Sequence, residues 1–223
     1  MRFWSKLLLS AIITAALFWC VGAQTTQADD EDLQSWNDIQ LSIPVHKKVD
    51  LLVQTTFRFG SNMSKLSEAR GGGGVSVKLN KAFSISPTYL YIESRNTAGA
   101  FLTEHRYSLR GTYKFPTKKF GLSHRSTYDY RVRSSGNSWR YRPSLTFEKA
   151  LPEKFIPKAK FFVTEELFYV STTKKFSRNR FSIGISKTIS DHLTLDLYYL
   201  RQNDGFSHPG DLNVLGTSWK LHF

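Results

Sequence analysis

From Trp36 onward the chain alternates apolar with polar or charged residues, in segments of roughly 8–13 residues set apart by turn-rich stretches. That period of two predicts strands over Trp36–Val45, Asp50–Phe59, Gly74–Leu79, Phe83–Ser94, Thr103–Phe115, Phe120–Arg133, Ser138–Lys149, Lys160–Ser171, Arg178–Lys187, Leu193–Gln202 and Leu212–Phe223. No segment of helical period and useful length interrupts them. In Thr103–Phe115 one face carries Glu104, Arg106, Ser108, Arg110, Thr112 and Lys114, and the other His105, Tyr107, Leu109, Gly111, Tyr113 and Phe115. Phe120–Arg133 and Ser138–Lys149 split in the same way. One face is oily and the other ionic.

Such strands suit an antiparallel sheet over a protein core or a transmembrane barrel with lipid outside and water within. Three patterns favour the barrel. In the sequence short links (80–82, 116–119, 191–192) take turns with longer ones (60–73, 97–102, 204–210), which predicts short periplasmic turns and long extracellular loops. Aromatic residues fall into two girdles, with Phe59, Tyr107, Tyr130, Trp139, Tyr141, Tyr169 and Tyr199 toward an outer rim and Phe83, Phe115, Phe120, Phe147 and Phe161 toward an inner one. The final residues, Leu215, Thr217, Trp219, Leu221 and Phe223, alternate and close on an aromatic. They resemble the C-terminal assembly signal of bacterial outer-membrane barrels, with Trp219, Leu221 and Phe223 as its apolar positions; Val214 replaces a residue that is usually polar. A secreted soluble sandwich would have to bury the oily faces against a second sheet and has no use for the girdles. The expected fold is an all-β, antiparallel, up-and-down transmembrane barrel of 10–12 strands.

The N-terminal end is an address. Arg2 and Lys6 precede the 15-residue apolar run 7–21, and Val21-Gly22-Ala23 supplies small residues for cleavage, so residues 1–23 are expected to be a signal peptide removed near Ala23. Fifteen apolar residues fall short of the roughly 20 that span a bilayer as a helix. Residues 24–35 form a polar, acidic segment with the run Asp29-Asp30-Glu31-Asp32, and 36–223 the barrel. Eleven candidate strands raise a counting problem, because single-chain bacterial barrels normally have an even number. Ten strands, twelve strands, or a segment 24–35 that threads the lumen and delivers Trp36 to the outer rim would each resolve it; the ordinary reading of that segment is an exposed tail.

Charge sharpens the picture. The 223 residues carry 31 Lys and Arg against 18 Asp and Glu, a net +13, with 14% aromatic residues. That aromatic content excludes a disordered polycation, and export to the outer membrane of a Gram-negative bacterium removes nucleic acid as a partner. Loss of Arg2 and Lys6 lowers the charge from +13 to +11, and the alternation folds much of the remainder inward as the lining of a lumen. Cys20 is the single cysteine and leaves with the signal, which excludes a disulfide scaffold and thiolate metal sites; Trp19 before it argues against lipidation.

The sequence resembles a family of outer-membrane barrels known as domain of unknown function 2490. The resemblance runs from Trp36 to Phe223 and rests on the order of short pieces: Trp36, Lys47-Lys48, Phe57-Arg58-Phe59, Glu104-His105-Arg106, Arg125, Asp129 and Arg131, Trp139-Arg140-Tyr141-Arg142, Glu166-Leu167-Phe168 and Arg178-Asn179-Arg180. Thr127 and Asp129 stand where the family tends to have Arg and Glu. The resemblance implies fold and location and supplies no activity.

The candidate chemistry lies on the inner face. Arg58, Arg106, Arg110, Arg125, Arg131, Arg140, Arg142, Arg178 and Arg180 are expected to line the lumen and bind anions, with Glu104, Asp129 and Glu166 as lumen carboxylates. Pairing Phe115 with Phe120 would set Arg106 opposite Asp129 and Glu104 opposite Arg131; pairing Arg133 with Ser138 would face Asp129 with Arg142. The same register brings Arg110 beside Arg125 and Arg131 beside Arg140. This predicts a porin-like channel for small anionic solutes. The alternative is a closed scaffold barrel in which the same side chains form a stiffening salt-bridge network. The expected partners are outer-membrane lipid, the barrel-assembly machinery and small anions.

No enzyme is expected. The one enzymatic alternative is a lipid-acting hydrolase built on His124 and Ser126, whose His-x-Ser spacing, with Asn137 downstream, resembles outer-membrane phospholipase A; the Asn-Gly-Arg stretch of that enzyme is missing. Gly71–Gly74 lacks the Lys-Ser/Thr of a phosphate loop and is expected in a mobile surface loop. The six histidines, His46, His105, His124, His192, His208 and His222, lack metal-ligand spacing, and no metal or cofactor is expected.

Overall fold

A computed structural model describes residues 31–207 and 210–223. The expected signal peptide, its cleavage site, Cys20, Asp29 and Asp30 lie outside the described residues. Eleven strands form a closed barrel: β1 Glu31–His46, β2 Val49–Gly60, β3 Lys65–Lys78, β4 Phe83–Arg95, β5 Phe101–Lys114, β6 Gly121–Arg133, β7 Ser138–Ala150, β8 Ala159–Val170, β9 Lys175–Ser190, β10 Leu193–Asp204 and β11 Asp211–His222. Neighbours in sequence pair antiparallel, and the barrel closes by a parallel pairing of β1 with β11, from Glu31 beside Asp211 to Ser42 beside His222. The parallel seam resolves the strand count, since an odd number closes only if first and last strands run the same way.

The structure corrects two expectations about the first strand. β1 begins at Glu31, five residues before Trp36, so 31–35 are wall rather than threaded chain or tail. Trp36 is not delivered to the outer rim by a threaded segment but points into the lumen from within β1 and is buried. The end holding Phe223 and the connections 47–48, 79–82, 115–120, 151–158 and 191–192 is called proximal; Glu31 and the connections 61–64, 96–100, 134–137, 171–174 and 205–210 mark the distal end.

Connection lengths do not alternate as expected. The longest, 151–158, is proximal, and no distal connection exceeds six residues. The expected loop 60–73 is a tight turn, in which Ser61, Asn62 and Met63 all take positive φ and Asp32 accepts the backbone N–H of Ser61 (3.1 Å) and Asn62 (2.8 Å). The chain then enters β3, which contains Gly71–Gly74. These glycines carry no alternation to betray a strand, yet they belong to the wall. A Cβ at Gly72 or Gly74 would collide with the carbonyl oxygen of Tyr89 or Pro87, and one at Gly73 with that of Leu52. They are there for close approach of backbones.

The outward face is an apolar belt. Leu109, Leu145, Leu197 and Leu215 are each more than 40% exposed, as are Tyr107, Tyr128 and Trp219, a surface suited to hydrocarbon. Trp139 stacks with Tyr128 and with Tyr169, which meets Phe176 edge-on, giving a distal aromatic row. Phe120 with Phe147, and Tyr113 with Phe115, stand at the proximal end. Tyr107 departs from the expected girdle and sits midway along β5. At the C-terminus Trp219 and Phe223 point outward and Phe223 stacks on His192. Gly216 faces inward, where the ring of Tyr198 occupies the space a Cβ would need.

Candidate functional site: an arginine-lined lumen in two tiers

Inward residues differ in kind along the barrel axis. In the distal half they are large and packed. Phe168 is 1% exposed, and the guanidinium groups of Arg180 (4.7 Å), Arg140 (5.3 Å), Arg178 (5.5 Å) and Arg142 (5.6 Å) lie near its ring. Trp36 holds Arg58 at 3.7 Å and Arg180 at 4.8 Å, and donates its indole N–H to Gln34. Flat, weakly hydrated guanidinium stacks on aromatic faces at low desolvation cost. Trp36 also packs with Leu200, Leu212 and Val214 in the one apolar cluster among the described residues, which accounts for valine at position 214.

Between these aromatics runs a ladder of ion pairs. Asp129, fully buried, accepts from Arg140 (2.8 Å), Arg142 (2.9 Å) and the hydroxyl of Ser108 (2.6 Å). Glu104 binds Arg106 and Arg131, each at 2.6 Å, and Glu166 binds Arg142 (3.2 Å) and Arg125 (3.4 Å). Glu68 pairs with Arg58 at 3.2 Å, and Asp204 accepts from Nε of Arg178 at 2.6 Å. Arg180 has no carboxylate and donates to Gln202 (2.8 Å). Each acid thus serves one or more guanidinium groups, and pairing satisfies charges that burial would otherwise make costly.

The register differs from the expected one by two residues. Arg106 lies opposite Arg131, Glu104 opposite Arg133 and Asp129 opposite Ser108 and Arg140. Two connections cause it: 115–120 closes on Lys114 with Ser123, so that Phe115 reaches Leu122 rather than Phe120, and 134–137 closes on Arg131 with Ser138 rather than Arg133 with Ser138. A slip of two preserves which face each residue occupies. Arginine is long enough to span the diagonal, so Glu104 still meets Arg131 and Asp129 still meets Arg142. The expected Arg106–Asp129 contact is replaced by Ser108–Asp129. All nine arginines and all three carboxylates singled out in the sequence face inward.

Proximal to the ladder Ser, Thr and Gln become common among the inward residues, beside Phe162, Tyr198 and Glu148, and a cavity of about 440 Å³ opens whose lining reaches Trp36, Arg142 and Arg180 of the distal half. Ser123, Thr146, Thr164, Ser182 and Ser186 line it, together with eight Arg or Lys side chains and four Asp or Glu. Lys220 pairs with Asp196 at 2.5 Å near its proximal end. Sequence reasoning missed this pair, and it missed Phe168 and Trp36 as lumen residues, because it followed charge alone. Both aromatics nonetheless occupy inward phase with their charged neighbours, which was a usable signal. The charge excess is also only partly luminal. Arginine lines the lumen, whereas Lys47, Lys48, Lys81, Lys118, Lys119, Lys154 and Lys158 stand exposed in the proximal connections as a basic collar.

On the outer wall, His124 Nε2 lies 3.0 Å from Ser126 Oγ, which is also 3.0 Å from the Tyr141 hydroxyl. Asn137 donates instead to Tyr130, and among the described residues no carboxylate or amide hydrogen-bonds His124. The His–Ser contact exists without a third group to orient its base. Among the described residues no three His, Cys, Asp or Glu side chains group so as to hold a metal.

No curated protein matches the chain. Among solved structures, the anion-selective porin from Comamonas acidovorans is 12% identical with a TM-score of 0.40; the likeness covers 79% of this chain and 54% of the porin, so the chain spans about half that porin's length. The KdgM porin is 13% identical with a TM-score of 0.42, over 77% of this chain and 90% of that one. The family described as "Protein of unknown function (DUF2490)" matches residues 33–213. That span takes in nearly the whole barrel, and the chain belongs to the DUF2490 family.

Proposed function

We propose that this is a porin-like barrel of the bacterial outer membrane whose lumen takes up small anionic solutes, a conduit rather than an enzyme. The observation that carries the reading is the cavity lining, where cationic side chains outnumber carboxylates eight to four among hydroxyls that tolerate water. A ring of positive charge in a narrow, low-dielectric passage raises the local anion concentration and repels cations. In this reading the proximal end is periplasmic, the belt meets lipid, and β11, with Trp219, Leu221 and Phe223, is the segment taken up by the barrel-assembly machinery after signal cleavage near Ala23.

A second reading, the closed barrel, is favoured by the packed distal half. With Phe168, Asp129 and Val214 all at 1% exposure or less, that tier is a plug of side chains, as expected for a barrel nearer in strand number to eight than to sixteen. Planar-bilayer recording of the refolded chain in a KCl gradient separates the two. An anion-selective zero-current potential supports uptake, absence of current supports the closed barrel, and cation selectivity overturns the arginine argument.

A further inference from the structure

At the waist of the lumen, where the ladder gives way to the cavity, a group of buried donors is left without partners. Arg110 on β5 sits opposite Thr127 on β6, and Arg125 on β6 sits opposite Ser144 on β7, so the four are inward neighbours on three adjacent strands. Thr127 is 1% exposed and Ser144 4%. Their hydroxyls, and Nε of both arginines, are buried and have no hydrogen-bond partner among the described residues. Among the described residues Arg110 makes no ion pair. Arg125 has only the 3.4 Å contact to Glu166, which Arg142 already engages at 3.2 Å.

Nε of Arg58 and of Arg133 is also buried without a partner, but the first side chain pairs with Glu68 and the second donates to Ser138; two guanidinium groups and two unpaired hydroxyls come together as neighbours only here among the described residues. Buried donors without acceptors are costly, and natural structures rarely leave several together. All four residues can donate, and two of them carry permanent charge. A water molecule offers two lone pairs and no charge. An oxyanion offers several lone pairs together with the negative charge that the two guanidinium groups lack. Both arginines also line the cavity, so a solute entering from the proximal end meets them before the packed tier.

We propose that Arg110, Arg125, Thr127 and Ser144 form a binding site for a small oxyanion: a carboxylate, sulfate or phosphate. The proposal rests on the anion-uptake reading in one respect, that solutes reach the lumen from the proximal end. It goes further by making uptake saturable and by favouring forked oxyanions over chloride, which has no geometry for a guanidinium fork to match.

The test is calorimetric titration of the refolded full chain in nanodiscs with sulfate, phosphate and malonate, ionic strength being held with NaCl. Saturable binding of any one of the three, with NaCl present, supports the site; no saturable binding of any of them overturns it. Arg110→Gln is expected to weaken binding by about tenfold or more. Thr127→Val, which keeps shape and removes one donor, is expected to weaken it by about threefold to tenfold. Lys154→Gln, an equal charge change in the exposed collar, is expected to leave affinity unaltered. Folding of each variant is checked by heat-modifiable gel mobility. Wild-type affinity in both folded waist variants, or an equal loss in Lys154→Gln, overturns the proposal. The bilayer recording fails or succeeds separately. Saturable binding without current keeps the site and removes passage, whereas anion-selective current without saturable binding does the reverse.

Discussion

The distal and proximal halves of the lumen are built on the same strands with the same inward phase, yet one is packed solid and the other holds a cavity. The difference lies in what each inward position carries. Along β6, β7 and β8 the distal inward residues include Arg131, Asp129, Arg140, Arg142, Glu166 and Phe168, whereas the proximal ones include Ser123, Thr146 and Thr164 between the larger Arg125, Glu148 and Phe162. Backbone closure fixes the width, and side-chain volume then decides whether the width is filled. Arginine is suited to the packed half because one side chain can stack on an aromatic ring and fork onto an acid at once, as Arg142 does with Phe168 and Asp129.

The largest effect should come from removing the acid at the centre of the packed tier. Asp129→Ala strands Arg140 in a buried site and leaves Arg142 with Glu166 alone, and breaking a buried pair from one side costs about 3–5 kcal/mol. Urea unfolding in lipid should show a loss of that size, and a loss below about 1 kcal/mol would mean water reaches the ladder. Phe168→Ala is expected to cost about 3–5 kcal/mol as well, by cavity formation. It differs from the acid substitution in leaving every ion pair of Asp129 and Glu104 in place. Gly74→Ala tests the wall rather than the lumen. The collision with the Pro87 carbonyl is expected to cost about 1–3 kcal/mol, read as a lower unfolding midpoint with unchanged slope. At the proximal opening, Lys220→Gln removes a partly exposed pair and is expected to change stability by less than about 1 kcal/mol. A larger loss there would erase the distinction between the two tiers.

How legible all this was in the sequence follows the same division. Period two exposed the wall and the inward phase of the nine arginines named from it, because alternation is a property of backbone geometry that side chains advertise directly. Where side chains fell silent, so did the sequence: Gly71–Gly74 hid the distal part of the strand before and around them, and the acidic run hid the five residues by which β1 extends ahead of Trp36. Pairwise chemistry was partly legible. Register hinges on a few residues in each connection, and 115–120 and 134–137 each shifted one set of partners by two positions, but arginine's length restored Glu104–Arg131 and Asp129–Arg142. The parallel seam was not legible, since nothing in the pattern of β1 or β11 records the direction of the neighbour across a closure. Trp36 and Phe168 were overlooked because only charged residues were followed onto the inner face, although their phase placed them inside.

The account turns on the distal tier being the barrier in an otherwise anion-accepting lumen. The measurement closest to that claim is the unit conductance of the Trp36→Ala/Phe168→Ala variant against wild type in planar bilayers, with folding verified by heat-modifiable mobility. A severalfold rise, with the current still carried mainly by anions, is the expected result. Equal conductance in the two proteins, or a switch to cation selectivity, would contradict it.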